Sequence, residues 1–349
     1  MGDVRVNHRA LTRFVTAVFS ATGMGTSDAG TVAEVLVWAN ERGIDSHGVM
    51  RIPSYLTEIK NGKFNPTAQP LTRRLLPATF MMDCHRAAGP VCMTHAAALA
   101  IELAHEFGVG VGLLSDPHHL GAIGRYAQSI AERGYVALVI LAGLPFMAYH
   151  GAKVASIGTS PVAIGIPGPD PQNAPLLLDM ATSVAASGRI RQAAVEGRAI
   201  PEGIAIDADG KPTTDAGQAA AMLPVGGPKG SGLSLMFECL TGILAGTPII
   251  APLGHTSGAK APIQNAMIIV LNIANFRAST DYRRDIQQLK EVVKALPRRD
   301  GFSELLLPGE RGDREAKLRR RIGIPLPGKL WTELDNLARE LGVSRLRPL

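Results

Sequence analysis

Four short clusters carry side chains able to do chemistry. The first is Asp45-Ser46-His47-Gly48-Val49-Met50-Arg51-Ile52-Pro53-Ser54-Tyr55. On a helical backbone His47, Arg51 and Tyr55 fall at i, i+4 and i+8 on one face, with Pro53 making the stacking approximate. An imidazole beside a guanidinium can hold a carboxylate and move a proton next to it. The same run also reads as a plain exposed helix start with Ser46 as N-cap. The second cluster, Ser115-Asp116-Pro117-His118-His119-Leu120-Gly121-Ala122, lies between an apolar run at 109–114 and a helical pattern from near Gly121. A loop leaving a strand and entering a helix is a common ligand position, and the helix dipole there disfavours imidazolium, so a histidine would act as a neutral base. Two adjacent histidines suggest a metal, but no third ligand has a recognisable spacing, and no metal is expected.

The third cluster is Gly226-Gly227-Pro228-Lys229-Gly230-Ser231-Gly232, running into an apolar helix at 233–244. Such a loop presents backbone N–H groups to an anion, and Lys229 adds a charge, although a plain tight turn has the same composition. The fourth, Leu178-Asp179-Met180-Ala181-Thr182-Ser183, is a strand end followed by small polar residues that line a pocket or cap a helix.

The elements that must position these clusters follow from periodicity. Leu11, Phe14, Val15, Val18 and Phe19 form an amphipathic stripe, and Ser27 is the expected N-cap of a second helix carrying Val32, Val35, Leu36 and Ala39. A third helical segment, 49–59, contains Pro53. From about Leu71 short apolar runs at 78–82, 109–114, 136–142, 161–166, 176–178 and 266–271 alternate with turns as strands do, punctuated by helices at 94–107, 121–133 and 233–244. Beyond Asp281 the pattern is helical and charged. A sheet-containing middle is thus flanked by helical ends, which are expected to pack together.

The fingerprints of standard sites are missing. Gly108, Gly110 and Gly112 alternate, but Leu113 occupies the place where a third glycine is needed, so a Rossmann dinucleotide site has no support. No GxxxxGK[ST], HExxH or GxSxG occurs. The chain of 349 residues is 46% hydrophobic and 19% charged, which excludes general disorder. Its 38 glycines and 24 prolines are more than an average chain carries, so many turns and close backbone approaches are expected. Cys84, Cys92 and Cys239 are an odd number without a CxxC pair, which fits a reducing compartment. Residues 1–10 lack an apolar signal region, and the long uncharged stretches are broken by Gly and Pro. A cytoplasmic protein with no membrane span is expected. The net charge of +6 is diffuse, and the one dense basic patch, 314–321, is interleaved with acids. It reads as a solvated helix face, with a nucleic-acid patch as the alternative.

Taken in order, the clusters resemble the type 2 malate/L-lactate dehydrogenases, a family that includes ureidoglycolate, sulfolactate, diketogulonate and cyclic-imine reductases. The stretches that carry the resemblance are DSHGVMRIPSYL (45–56), HLGAIGRYA (119–127), GTSPVAIGIP (158–167), LDMATS (178–183), AIDADGKPTTD (205–215), GGPKGSGLSLM (226–236) and LLPGER (306–311), spanning nearly the whole chain. The resemblance implies a non-Rossmann nicotinamide-binding α/β (α+β) fold with a mostly antiparallel sheet, working as a homodimer. It also implies a helical substrate and dimerisation region made of 1–75 with 281–349, and a cofactor-binding domain at 76–280. By motif matching, His47 resembles the family's acid/base histidine, with Ser46, Arg51 and Tyr55 around a small carboxylate substrate. His119 matches a second histidine that transfers protons in some members. Asp179, Met180, Ala181, Thr182 and Ser183 resemble the cofactor segment, Lys229 and Gly230 the cofactor lysine and its neighbour, and Gly309, Glu310 and Arg311 a late cofactor contact. The segment SDPHHLG replaces the more usual Ser-Asn-His-Phe-Gly type. Ser160 stands where Asn is common, and Gly143-Leu144-Pro145 lacks the Ser-Asp of some NAD-using members, so NAD and NADP both stay open.

The expected reaction is hydride transfer between a nicotinamide and C2 of a small 2-oxo or 2-hydroxy acid. Reduction of a cyclic 2-imino acid with NADPH is the alternative. From a different class, a non-catalytic protein binding a ligand or nucleic acid on its basic C-terminal face would also fit the composition.

Overall fold

The computed structural model describes residues 2–170, 173–250 and 264–349. Its centre is a seven-stranded sheet in the order β2 (Leu71–Leu76), β3 (Thr79–Asp83), β4 (Val109–Ser115), β12 (Gln264–Asn272), β5 (Tyr135–Gly143), β8 (Val162–Ile166) and β9 (Leu176–Met180). Five of its strand pairs are antiparallel and only β3–β4 is parallel, so the sheet is mostly antiparallel, as the resemblance implies. Each expected apolar run became a strand of this sheet. The central strand β12 pairs residue for residue with β4 on one side and β5 on the other.

Helices α4 (Gly89–Phe107) and α5 (Gly124–Glu132) cover one face of the sheet. Alanines 96, 97, 100 and 104 give α4 a smooth surface, and β4 meets it with glycine. A Cβ on Gly110 would lie 2.1 Å from the Ala100 carbonyl oxygen, and one on Gly112 would lie 2.1 Å from the Phe80 ring. The alternating glycines of the sequence therefore serve helix–sheet packing rather than a phosphate. On the other face lie α7 (Pro228–Glu238), which contributes Phe237, and a π-helical turn, Cys239–Ile243.

The ends of the chain form a second core. Helices α1 (His8–Ser20), α2 (Thr26–Glu41), α3 (Ile52–Lys60) and α10 (Gly328–Glu340) bury Leu11, Phe19, Leu36, Ile52 and Leu334 together. Strand β1 (Val4–Val6), which the helical reading of the N-terminus missed, pairs antiparallel with β13 (Ile324–Leu326) and ties the two ends. Helix α2 starts at Thr26 with Gly25 as N-cap, two residues before the cap expected at Ser27. Pro53 sits in the first turn of α3, where its missing N–H costs nothing. Residue 75 falls inside β2, which is hydrogen-bonded to β3.

A third, smaller core brings together β6 (Met147–Ala148), β7 (Ala155–Ile157), β10 (Ala205–Ile206), β11 (Ala221–Met222) and helix α6 (Ser187–Val195). Helix α9 (Glu310–Ile322) carries the basic patch, but the patch is not simply solvated. Arg42, the C-cap of α2, pairs with Asp313, Arg320 holds both oxygens of the buried Glu41 at 2.9 and 2.7 Å, and Arg319 binds Asp45 at 2.7 Å.

Candidate active site

The first cluster is not one helix. Asp45–His47 and Val49–Arg51 form separate 3-10 turns, and Gly48 between them is extended, with φ −92° and ψ −151°. The i, i+4, i+8 stacking therefore fails for His47. What joins the residues is tertiary structure. The His47 ring stacks on the His119 ring with centroids 5.7 Å apart and an interplanar angle of 26°. The Tyr55 hydroxyl is 2.5 Å from His119 Nδ1. Ser46 Oγ is 2.9 Å from His47 Nδ1, and Arg51 Nε donates to the Ser46 carbonyl at 2.7 Å. The terminal nitrogens of Arg51 make no hydrogen bond to any described residue, which leaves the forked end of the guanidinium for an anion.

The protonation states follow from surroundings. His47 is brought down to about 4 by burial and then by the Arg51 charge. His119 lies well below the usual histidine value, through burial first and then the charges of Arg51, His47 and His118. Helix dipole is not the cause, since α5 begins only at Gly124. The tautomer of His119 is fixed by geometry. The Gly121 N–H can only donate, and it points at Nδ1 at 3.2 Å, so Nδ1 carries the lone pair and Nε2 the hydrogen. The Tyr55 hydroxyl then donates to the same Nδ1. Burial and the Glu58 charge raise Tyr55 far above the ordinary phenol range, with Arg51 opposing, so it stays protonated.

His118 does not join this pair. It is buried, 2.6 Å from Glu58 through Nε2, stacked on Phe64 at 4.1 Å and edge-on to Tyr55 at 4.8 Å. It wedges Tyr55 in place. The loop that carries both histidines is held at its ends by side chains at the start of β12. Gln264 accepts from the Leu120 N–H at 3.0 Å and Asn265 from the Asp116 N–H at 3.2 Å. Among the described residues no group of three His, Cys, Asp or Glu could hold a metal.

The remaining motifs converge around the end of β9. The Thr182 N–H donates to the Thr159 carbonyl at 2.9 Å, and the Val225 N–H donates to the Thr182 carbonyl at 2.8 Å. A Cβ on Gly230 would lie 2.6 Å from that same Thr182 oxygen. Gly226 and Gly227 both have φ near +60°, a conformation that favours glycine. Helix α7 begins at Pro228, so Lys229 and Gly230 lie in its first turn, not in a loop before a helix starting at Leu233. Lys229 is exposed, Ser183 is buried, and the buried Thr182 Oγ1 has no hydrogen-bond partner among the described residues. Met180 and Ala181 are half-buried between Asp179 and this corner. Asp179 Oδ2 accepts from the Gly124 N–H at 3.0 Å and so caps α5, and burial raises its carboxyl to about 6.

The late motif reaches the same strand. The Leu177 N–H donates to the Pro308 carbonyl at 3.1 Å, with Gly309 packed against Leu177. Glu310 is already engaged, accepting from the Leu307 N–H at 3.0 Å and pairing with Lys294, while Arg311 is exposed. The two halves of the site meet at α6, where a Cβ on Gly188 would lie 2.7 Å from the Ser46 Cβ. Gly188, Asn40, Gln264 and Asn265 were not singled out from the sequence, because each acts through contacts remote in the chain.

A mostly antiparallel sheet with a paired-histidine corner beside Arg51 sets this fold apart from the Rossmann class. The chain belongs to the malate/L-lactate dehydrogenase family, whose model matches residues 6–335. It is 33% identical over 334 residues to the L-sulfolactate dehydrogenase of Methanocaldococcus jannaschii, covering 95% of this chain and 96% of that one. It is 32% identical over 353 residues to the malate dehydrogenase of Pyrococcus horikoshii, covering 98% and 97%. The crystal structure of the malate dehydrogenase of Entamoeba histolytica superposes with a TM-score of 0.91 at 25% identity, over 98% of this chain and 99% of that one. Family membership makes the protein an enzyme, a dehydrogenase that works with a nicotinamide cofactor.

Proposed function

We propose that the enzyme moves a hydride between a nicotinamide and C2 of a small 2-hydroxy or 2-oxo carboxylic acid, and that the His47–His119–Arg51 corner is where the substrate sits. The stacked pair of neutral imidazoles beside a guanidinium fork without a hydrogen-bond partner among the described residues carries this reading. The cofactor, NAD or NADP, would be held by 179–183, by Lys229 and Gly230, and by Gly309 and Arg311. The orphaned Thr182 Oγ1 and the glycines at 226, 227 and 230 suit close approach of a polar group there. Glu310 would act by shaping that turn. When bound, the nicotinamide supplies the hydride donor or acceptor.

The protein's own part is binding and proton transfer. Arg51 takes the carboxylate in a two-pronged contact and orients C2. His119 offers its fixed Nε2–H to the C2 oxygen and polarises it. His47, with Nδ1 bonded to Ser46, takes the hydroxyl proton on Nε2 in oxidation and returns it in reduction. A carboxylate on Arg51 cancels the second cause of His47's low pKa, so substrate binding makes the base stronger. We also place the substrate contacts and part of the dimer contacts in 1–75 with 281–349, most of the cofactor contacts and a second dimer face in 76–280, and the enzyme in the cytoplasm, where its three free cysteines stay reduced.

A homodimer is proposed on a further observation. Leu233, Met236, Leu240, Ile243 and Leu244 form an exposed apolar stripe along α7 and its π-helical extension, of a kind that monomers rarely leave bare. Sedimentation of the wild type should give twice 36.8 kDa, and Leu240→Glu a monomer of 36.8 kDa. The decisive functional experiment is fluorescence titration with NADH and NADPH, followed by assays of 2-oxo acids, their hydroxy acids and cyclic 2-imino acids with each cofactor. Binding of neither cofactor would remove the reading, and turnover of imino acids alone would move it from C–O to C–N chemistry.

A further inference from the structure

We infer that Arg319, which lies 274 residues from Asp45 in the chain, is a positioning residue that holds His47 for proton transfer. The inference rests on the proposed role of His47. The 45–49 loop is clamped from two directions. On one side is Asn40, buried in the last turn of α2. Its Nδ2 donates to Asp45 Oδ1 at 2.6 Å, and its Oδ1 accepts the Val49 N–H at 2.8 Å. A Cβ on Gly48 would lie 2.1 Å from that Oδ1, so only glycine lets the loop close on the carboxamide. On the other side is Arg319 of α9, with a side chain only 11% exposed. Its Nη1 donates to the Asn40 carbonyl at 2.6 Å and to Asp45 Oδ1 at 2.7 Å, its Nη2 to Asp45 Oδ2 at 3.2 Å, and its Nε to Glu315 at 2.5 Å. The guanidinium thus grips both ends of the Asn40–Asp45 contact, and its planar fork is what allows one residue to do so.

His47 depends on this clamp because, among the described residues, no hydrogen bond reaches its backbone from outside the local turn. The His47 N–H donates to Ile44 and the Gly48 N–H to Asp45, both inside the local turn. If Asp45 swings, Ser46 and His47 move with it, the Ser46–Nδ1 contact is lost, and the stack on His119 opens. A neighbouring pair provides an internal control. Arg320, the next residue on α9, binds Glu41 of α2 with comparable geometry, but among the described residues the Glu41 side chain makes no hydrogen bond to the loop.

The test compares Arg319→Gln, Arg319→Lys, Asp45→Asn and Arg320→Gln in the full-length enzyme. Arg319→Gln should lower kcat at least tenfold with the NADH dissociation constant changed less than twofold. Amide hydrogen exchange at Gly48 and Val49 should quicken at least tenfold. Arg319→Lys, which keeps the charge but not the fork, should recover part of the loss, and Arg320→Gln should leave kcat within about twofold. Equal losses in the Arg319 and Arg320 variants would show that α9 docking alone matters and would overturn the inference. If Arg319→Gln does not fold, Asp45→Asn must show the same kcat loss and exchange increase, and its failure to do so overturns the inference as well. Should the wild type turn over no substrate, the functional reading fails, and the exchange rates at 48 and 49 still decide whether Arg319 holds the loop.

Discussion

The Tyr55 hydroxyl and the Gly121 amide both point at His119 Nδ1, at 2.5 and 3.2 Å, so a buried phenol reinforces the tautomer that the amide selects at the proposed proton-transfer histidine. Removing the hydroxyl leaves one weaker donor and releases the ring to rotate or change tautomer. Tyr55→Phe should keep the fold, because the ring contacts with Phe19, Phe64 and His118 need no oxygen. Its stability cost should be about 1 kcal/mol. Turnover should fall about ten- to a hundredfold, within the range of acid–base assistance. Nitrogen NMR of His119 should show the Nε2–H form in the wild type and a mixture in the variant, and a single unchanged tautomer would contradict this account.

Charge on His47 gives a pH dependence with a definite sign. Its folded pKa, about 4, lies below the 6.5 of an exposed histidine. The unfolded chain therefore binds the proton first. The contribution to stability is complete above pH 6.5, declines as the pH falls through 6.5 toward 4, and is gone below, a change of at most about 3 kcal/mol. NMR titration of the free enzyme should place His47 near 4 and leave it neutral across the working range. Adding an unreactive 2-oxo carboxylate should raise that value, because the anion neutralises Arg51. A His47 titrating near 6.5 in the free enzyme would remove it as a buried neutral base.

Asp179 carries the opposite sign. Burial raises its carboxyl from 3.8 to about 6, although the Gly124 N–H and the Arg42 charge both favour the ionised form. The unfolded chain now loses its proton first, so the group's contribution is complete below pH 3.8 and is lost as the pH rises through 6. Asp179→Asn keeps an oxygen for the Gly124 N–H without the charge. The variant should gain stability at pH 8, by up to about 3 kcal/mol, and gain little at pH 4. Thermal unfolding at the two pH values decides it, and an equal shift at both would mean that charge is not the cause.

These residues also show what a single sequence makes legible. The strands of the large sheet were readable because β12, β5 and β8 are apolar runs bounded by turn residues, and burial on both faces imposes that pattern. His47, Arg51 and His119 stood out by residue type. Their meeting did not, since the spacing argument assumed a helix that Gly48 interrupts, and the actual contact is a tertiary stack. Ion pairs between α9 and residues 41–45 at and beyond the end of α2 were invisible because their partners lie more than 250 residues apart, and a charge run reads the same whether its partners are water or a distant segment. β1 escaped because three residues are too few for a period to show.

Gly188 gives the sharpest test of how the two halves of the site meet. It lies in the first turn of α6, where alanine is intrinsically the better helix former by up to about 1 kcal/mol. Its Cα nevertheless faces Ser46 so closely that a new Cβ would come within 2.7 Å of the Ser46 Cβ. The loop cannot yield easily, because Asn40 and Arg319 hold it, so α6 must move away. Gly188→Ala should therefore lower kcat/KM at least tenfold while the unfolding temperature stays within a few degrees. Ser46→Gly removes the atom that collides but also the oxygen bonded to His47, so it should be impaired alone. In that background Gly188→Ala should cost less than twofold more, because the two residues share one contact and their effects do not add. Full additivity of the two losses would mean that α6 and the His47 loop do not touch in solution.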